Sequence, residues 1–341
     1  MSGDDRTPLV PEPSWRARRA PPPPPGAHPA LAARLTDPLG WMGFDRLTRH
    51  WRTVTIRVVF ARPPLLEEDG PGLAGRLRGA WGWALDDLAR AEPDHGLPGA
   101  APSAHDALFR ANALWAPGME VPKPYVLTVD ADGRRLTARV TLFGFAGRWA
   151  ADTVEALLMA GARGLTLRPG GPVRAALAAE SVAVDRVETL PPLPQPRDGA
   201  LTLLFDTPLK ARHGAALKLD AASILGGLAN RVTGLARWQD LGVEDDFAAL
   251  AQAVVAVDAD LSALRPIGWT RRSTRAPDAP ISMEGVTGAL TLRGDVERLL
   301  PILRLGTLTH AGNDTTFGLG RFRVAGDGWA AGEPCGTERI D

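Results

Sequence analysis

The chain has 341 residues, with 39 basic and 39 acidic side chains, a net charge of zero and 45% hydrophobic residues. Its single cysteine, Cys335, excludes a disulfide framework and a cysteine-ligated zinc site and suits a reducing compartment. No apolar run reaches the length of a membrane span and the N-terminus lacks a basic-then-apolar signal pattern, so a cytoplasmic protein with no membrane partner is expected. A zero balance gives no overall pull on nucleic acid, so any such role must come from local clusters.

Residues 1–50 read as a Pro/Ala/Arg-rich disordered arm: Pro21 to Pro25 follow Arg16, Arg18 and Arg19, and proline fixes φ without donating an amide. Thr53 to Phe60 alternates, with Val54, Ile56 and Val58 on one face, and predicts a strand. Leu73 to Ala89 places Leu73, Leu77, Trp81, Leu85 and Leu88 at helical spacing. The tryptophans Trp81 and Trp83 read as packing. Tyr125–Val129 and Leu136–Phe145 predict two strands joined by a turn at Asp130–Gly133. Ala151–Arg163 predicts a helix and Val182–Val187 a strand. The order β-α-β-β-α-β is the ferredoxin-like unit.

The order then repeats. Leu201–Phe205 is a strand and Ala221–Leu235 a helix. Ala251–Val257, taken with Ile267–Thr270, reads as β, the first part alternatively extending a helix. Val286–Arg293 is a strand, Val296–Leu308 a helix and Arg321–Val324 a strand. The reading is α+β, with two tandem ferredoxin-like domains at 51–189 and 199–326, a proline-rich linker at 190–198 and a tail at 327–341.

Between the last helix and the last strand lies a glycine loop containing Gly312, Gly318 and Gly320, followed by Arg321 and Arg323. Glycine permits positive φ and close backbone approach, and successive amides can cradle an anion. Neither a Gly-x-x-x-x-Gly-Lys-Ser/Thr nor a Gly-x-Gly-x-x-Gly after a strand is present, so a nucleic-acid backbone fits better than a mononucleotide. The alternative is a helix-to-strand connection that uses glycine for geometry alone.

His310, Gly312, Thr315, Phe317, Gly318, Leu319, Gly320 and Arg321 resemble the C-terminal signature of the CRISPR-associated precursor-crRNA-processing endoribonucleases of the RAMP superfamily. Leu77–Leu85 resembles that family's Arg-Gly-Ala-aromatic-Gly first helix. Pro122–Leu127 with Leu136–Gly144 resembles two of its strands, and Trp269–Gly288 its Trp-x-Arg-x-Ser-x-Arg stretch. The resemblance implies tandem ferredoxin-like domains, CRISPR repeat RNA or crRNA as partner, other effector subunits as further partners, and no cofactor or metal. It implies cleavage by the 2′-hydroxyl on the adjacent phosphate, giving a 2′,3′-cyclic phosphate. Deoxyribose lacks that nucleophile, so DNA would not be cut.

Such chemistry needs a base near neutrality and a cation for the phosphorane. His310, at the loop, is ranked first for the base, ahead of His105 and His213; His95 lies in the same post-helix region as His105. Lys210, Arg212 and Lys218 form one basic cluster. Arg271, Arg272 and Arg275, beside Trp269, form a second, and Arg321 and Arg323 a third. Together with Gly312, Thr315, Gly318 and Gly320 they are the expected RNA contacts. Asn313 stands where relatives commonly carry a lysine, which favours a second possibility, a crRNA-binding RAMP subunit with little activity. A small-molecule enzyme on the same scaffold would need a carboxylate pair, metal set or cofactor motif, and none is evident in the sequence.

Overall fold

The computed structural model describes residues 28–325, except 67–70, 95–96, 98, 169–170, 172, 188–189, 191, 195, 197–198, 214–215, 218, 245–246 and 274–275. His95, Lys218, Arg275, most of the arm, parts of the linker and the whole expected tail lie outside the described residues.

The described chain opens with α1 (Pro29–Thr36), β1 (Gly40–Met42) and α2 (Phe44–His50). A first sheet follows, made of β2 (Thr53–Ala61), β3 (Tyr125–Asp132), β4 (Arg135–Phe143) and β5 (Ala179–Val187). Helix α3 (Pro71–Ala91) joins β2 towards β3, and α4 (Ala150–Arg163) joins β4 towards β5. The strands lie in the order β3-β4-β2-β5, all antiparallel.

The second unit contains β6 (Ala200–Leu209), α5 (Ala221–Ala236), β7 (Leu241–Val243), α6 (Phe247–Ala256) and β8 (Asp258–Asp260). It continues with β9 (Leu264–Ser273), β10 (Ala276–Arg293), α7 (Leu300–Thr309) and β11 (Phe322–Ala325). Its order is β8-β10-β6-β11, again antiparallel, with β9 also paired to the long β10. In each unit the sheet reads second, third, first, fourth, which is the ferredoxin-like βαββαβ arrangement.

Burial follows the sequence pattern. Val54, Ile56, Val58 and Phe60 alternate on the buried face of β2, and Leu73, Leu77, Trp81 and Leu85 line the buried stripe of α3. Each such side chain contributes about 1.5–3 kcal/mol on burial. The two units share a tight seam. The Trp238 indole Nε1 donates to the Pro122 carbonyl at 3.0 Å. The Gln239 amide bonds both the N–H and the C=O of Arg52, at 3.1 and 2.9 Å.

Three expectations are corrected. Residues 29–50 are not part of an arm: Leu31 and Leu35, and Phe44 and Leu47, form apolar faces at helical spacing and are buried, and β1 pairs with β7 of the second unit. Ala251–Val257 lies almost wholly in helix α6, where an alanine-rich run with Phe247 and Val254 on one buried side favours helix over strand. The β3–β4 hairpin turns at Gly133–Arg134, so Asp130 to Asp132 belong to the ladder and Asp130 pairs with Thr137.

Candidate active site

The glycine loop is held by backbone bonds, two within itself and two to the end of β6 and the residue after it. The Ala311 amide donates to the Gly320 carbonyl at 2.9 Å, Gly320 to Pro208 at 2.9 Å, Gly318 to Thr315 at 3.0 Å and Asn313 to Lys210 at 2.8 Å. Gly320 has φ +69°, and a Cβ there would run into the Ala311 carbonyl oxygen. Gly318 has φ +80°, and its Cβ would stand 2.6 Å from the Leu127 carbonyl of β3. The loop of the second unit is therefore pressed onto the first sheet. The expectation that these amides cradle an anion is corrected for Gly318 and Gly320, whose N–H groups are taken by the Thr315 carbonyl within the loop and the Pro208 carbonyl of β6. Gly312 packs on the Lys210 carbonyl and Thr315 is buried.

His310 is 3% exposed, with φ +62°. Its Nδ1 donates to the Leu319 carbonyl at 3.1 Å when that nitrogen carries the proton. Burial first, and the nearby Arg231 charge next, push its pKa down to about 3. Arg231 is half-buried, desolvation of its guanidinium pushes it down to about 9, and its Nε donates to the Thr309 carbonyl at the end of α7 at 2.7 Å. An imidazole placed this way ties the helix end to the loop and offers no proton acceptor to a substrate arriving from solvent.

Two expected RNA-binding cations are already engaged. Lys210 is 7% exposed and its Nζ is ion-paired with Asp314. Arg321 Nη1 donates to both carboxylate oxygens of Asp130, at 3.1 and 3.2 Å, with Asp206 3.8 Å from its Nε. It therefore joins β3 of the first sheet to the second sheet. Arg323, more open, has its Nε 3.7 Å from Asp206. Arg212 and His213 form a two-residue ladder with Ala216 and Leu217, and Arg271 and Arg272 lie on β9 opposite Ile281 and Pro280. The side chains of these four lie outside the described ones.

Where the loop meets α3, a different group of side chains converges. The Arg78 guanidinium carbon lies 4.4 Å from the Phe317 ring centroid and 4.8 Å from that of Phe109, and its Nε donates to the Tyr125 hydroxyl at 2.9 Å. His105 stacks on the same Phe109 ring at 5.6 Å. Its Nδ1 is 3.4 Å from Asp86 of α3, with side-chain exposures of 17% and 14%. Burial lowers the His105 pKa, while Asp86 and Asp106 pull it back up. Lys123, also near Arg78, is lowered by burial, and its Nζ donates to the Ala111 carbonyl. Cation and imidazole thus rest on one aromatic ring, at a rim built by both units.

Arg78, Asp86, Phe109 and Tyr125 were not among the expected site residues. Arg78 and Tyr125 sit inside the segments that carry the family resemblance, yet only folding brings them to the loop. The expectation that Trp83 packs with Trp81 is corrected: it is 58% exposed whereas Trp81 is fully buried. Residues two apart on a helix do not share a face, and that spacing was the available signal. Among the described residues no three His, Cys, Asp or Glu side chains gather as a metal-binding group, and no helix is long and apolar enough to cross a membrane.

The family resemblance holds: residues 203–322, which span most of the second unit and the glycine loop, match the family described as CRISPR-associated endoribonuclease Cas6. No curated protein matches the chain. Among solved structures it is similar to a Cas6 product complex, with 16% identity and a TM-score of 0.49, covering 80% of this chain and 99% of that one. It is similar to Thermus thermophilus Cas6, with 17% identity and a TM-score of 0.47 over 81% and 98% of the two chains. A third is the product of a Cas6-related gene from Pyrococcus furiosus, with 8% identity and a TM-score of 0.42 over 81% and 100%.

Proposed function

We propose that this chain binds CRISPR repeat RNA and cleaves precursor crRNA, without a metal, by attack of the substrate's own 2′-hydroxyl on the adjacent phosphate. The observation that carries this reading is the placement of the His105–Asp86 pair and Arg78 against one Phe109 ring, beneath the family's glycine loop. The match of residues 203–322 supports the substrate class.

In this reading His105 is the general base. Its lowered pKa keeps it neutral at pH 7. Asp86, facing Nδ1, favours the tautomer that leaves the lone pair on Nε2, where the 2′-OH proton is accepted. The O2′–P bond forms as the P–O5′ bond breaks, and the leaving O5′ takes a proton as the 5′-hydroxyl product. Arg78, positioned by Tyr125 and two rings, balances charge on the phosphorane. Trp83 lies one turn from Asp86 on α3 and offers an exposed face for a base to stack upon. His310, Lys210 and the loop glycines hold the frame.

The test is incubation with cognate repeat RNA in EDTA. Cleavage should give a 2′,3′-cyclic phosphate, and a single 2′-deoxy substitution at the scissile nucleotide should abolish cutting while sparing binding. Binding that weakens steeply with salt but never leads to cleavage would replace this reading with the crRNA-holding subunit.

A further inference from the structure

Two successive residues of the glycine loop reach the same arginine of the other unit. Thr315–Phe317 forms a single 3-10 turn, bounded by left-handed Asp314 (φ +58°) and Gly318 (φ +80°). The turn lies on the first unit, along β3 and α3. Gly318 faces the Leu127 carbonyl, and an added Cβ at Gly75, one turn before Arg78 on α3, would stand 3.6 Å from Phe317 Cδ1. The Phe317 ring centroid is 4.4 Å from the Arg78 guanidinium carbon and that of Phe109 is 4.8 Å from it. Of the two rings that hold this cation, one comes from each unit.

Thr316 acts on Arg78 through a buried hydroxyl. Tyr125 is fully buried, its ring held 5.0 Å from Trp81 and 5.8 Å from Phe109. Its oxygen accepts from Arg78 Nε at 2.9 Å, since a guanidinium cannot accept. That leaves the hydroxyl proton for Thr316, its other side-chain hydrogen-bond partner. Burial raises the Tyr125 pKa, so the proton stays in place. A buried hydroxyl without partners is costly, so the two bonds fix each other's direction.

We propose that Thr316 and Phe317 are positioning residues for Arg78: Phe317 walls the guanidinium and Thr316 orients it through the Tyr125 hydroxyl, so the cation of the first unit is set only when the loop of the second unit is docked. Its use in catalysis rests on the cleavage reading; its placement does not. With Nε committed to Tyr125, the Nη groups of Arg78 are left for a phosphate. Losing either loop side chain leaves the His105–Asp86 pair intact but returns Arg78 to a wider set of rotamers, which must be ordered again in the transition state. The loss therefore falls on the chemical step, with affinity and the acid limb of the pH profile unchanged.

The Arg78 Nε–H signal in a nitrogen–proton correlation spectrum of the full chain reads the placement without substrate. Identified by its absence in Arg78→Lys, it should be shifted upfield by the two rings and exchange slowly with solvent. Thr316→Val keeps the shape and removes the hydroxyl; it should speed that exchange about tenfold, and Thr316→Ser should restore the parental signal. Phe317→Leu should remove much of the upfield shift. In single-turnover cleavage Thr316→Val should be about 2- to 10-fold slower and Phe317→Leu about 2- to 30-fold slower, both with parental repeat affinity. Neither should slow an Arg78→Ala protein further. An Arg78 signal unchanged in both variants, or losses that persist undiminished in Arg78→Ala, would overturn the inference. The expected spectra in a protein that never cuts would refute the cleavage reading while upholding the placement.

Discussion

Replacing Asp86 by Asn isolates the part of the site that sequence reasoning missed. The Asp86 carboxylate stands 3.4 Å from His105 Nδ1, and both side chains keep some contact with solvent. At the dielectric of water a unit charge at that distance favours the imidazolium by about 1.2 kcal/mol, or just under about one pH unit. The base must be neutral to act, so the cleavage rate of the parent should rise with pH and level off below the ordinary histidine value of 6.5, because burial lowers this group. Asp86→Asn removes a charge that raises the pKa. Its acid limb should therefore move to still lower pH, by about one unit, and the plateau should fall as the tautomer is released. His105→Ala should cost about 10²- to 10⁴-fold in single-turnover cleavage, with repeat affinity nearly unchanged. The assay is single-turnover cleavage of a labelled repeat across pH 5 to 8, with melting curves for each variant. An acid limb that stays put or moves upward in Asp86→Asn, or a His105→Ala protein that cuts at the parental rate, would refute the assignment.

Other consequences concern the frame and the substrate. His310→Ala should lower the melting temperature through loss of a buried bond to the Leu319 carbonyl, while the folded fraction keeps its cleavage rate and its acid limb; a hundredfold slower folded enzyme would return the base to His310. Asp314→Ala leaves Lys210 buried without its ion-pair partner and should cost about 3–5 kcal/mol in denaturant unfolding, whereas an effect under about 1 kcal/mol would mean the pair is solvated. Arg321→Ala should cost about 1 kcal/mol, and adding Asp130→Ala should cost less than the separate sum, since the two share the same ion pair across the units; strict additivity in the double-mutant cycle would deny the coupling. Trp83→Ala should weaken repeat binding about 5- to 100-fold, as loss of one stacked base does, and Trp83→Phe should recover most of it; unchanged affinity in filter binding would leave Trp83 without that role.

The repeated βαββαβ order was readable because each element carries its own periodicity. The alternating valines of β2 and the leucine stripe of α3 need only their own side chains to declare which face is inward. The glycine loop was readable as a loop, and its family resemblance along with it. Its meaning was not, because amide direction depends on which carbonyls fold against it: Pro208 and Lys210 are about a hundred residues earlier in the chain, yet they take the donors of Gly320 and Asn313. His310 illustrates the same gap. A histidine beside loop glycines invites a catalytic role, but whether an imidazole meets water or is sealed under the Leu319 carbonyl is decided by how the loop folds back on itself and by Arg231 of α5. The reverse holds for Arg78 and His105. Twenty-seven positions apart, they meet only because Gly82 carries no side chain: a Cβ there would stand 2.7 Å from the Phe109 ring on which both rest. A glycine in mid-helix normally costs about 1 kcal/mol relative to alanine. Gly82 is tolerated because it lets that ring approach α3 closely, and the ring is what brings the cation and the imidazole to one side of the loop.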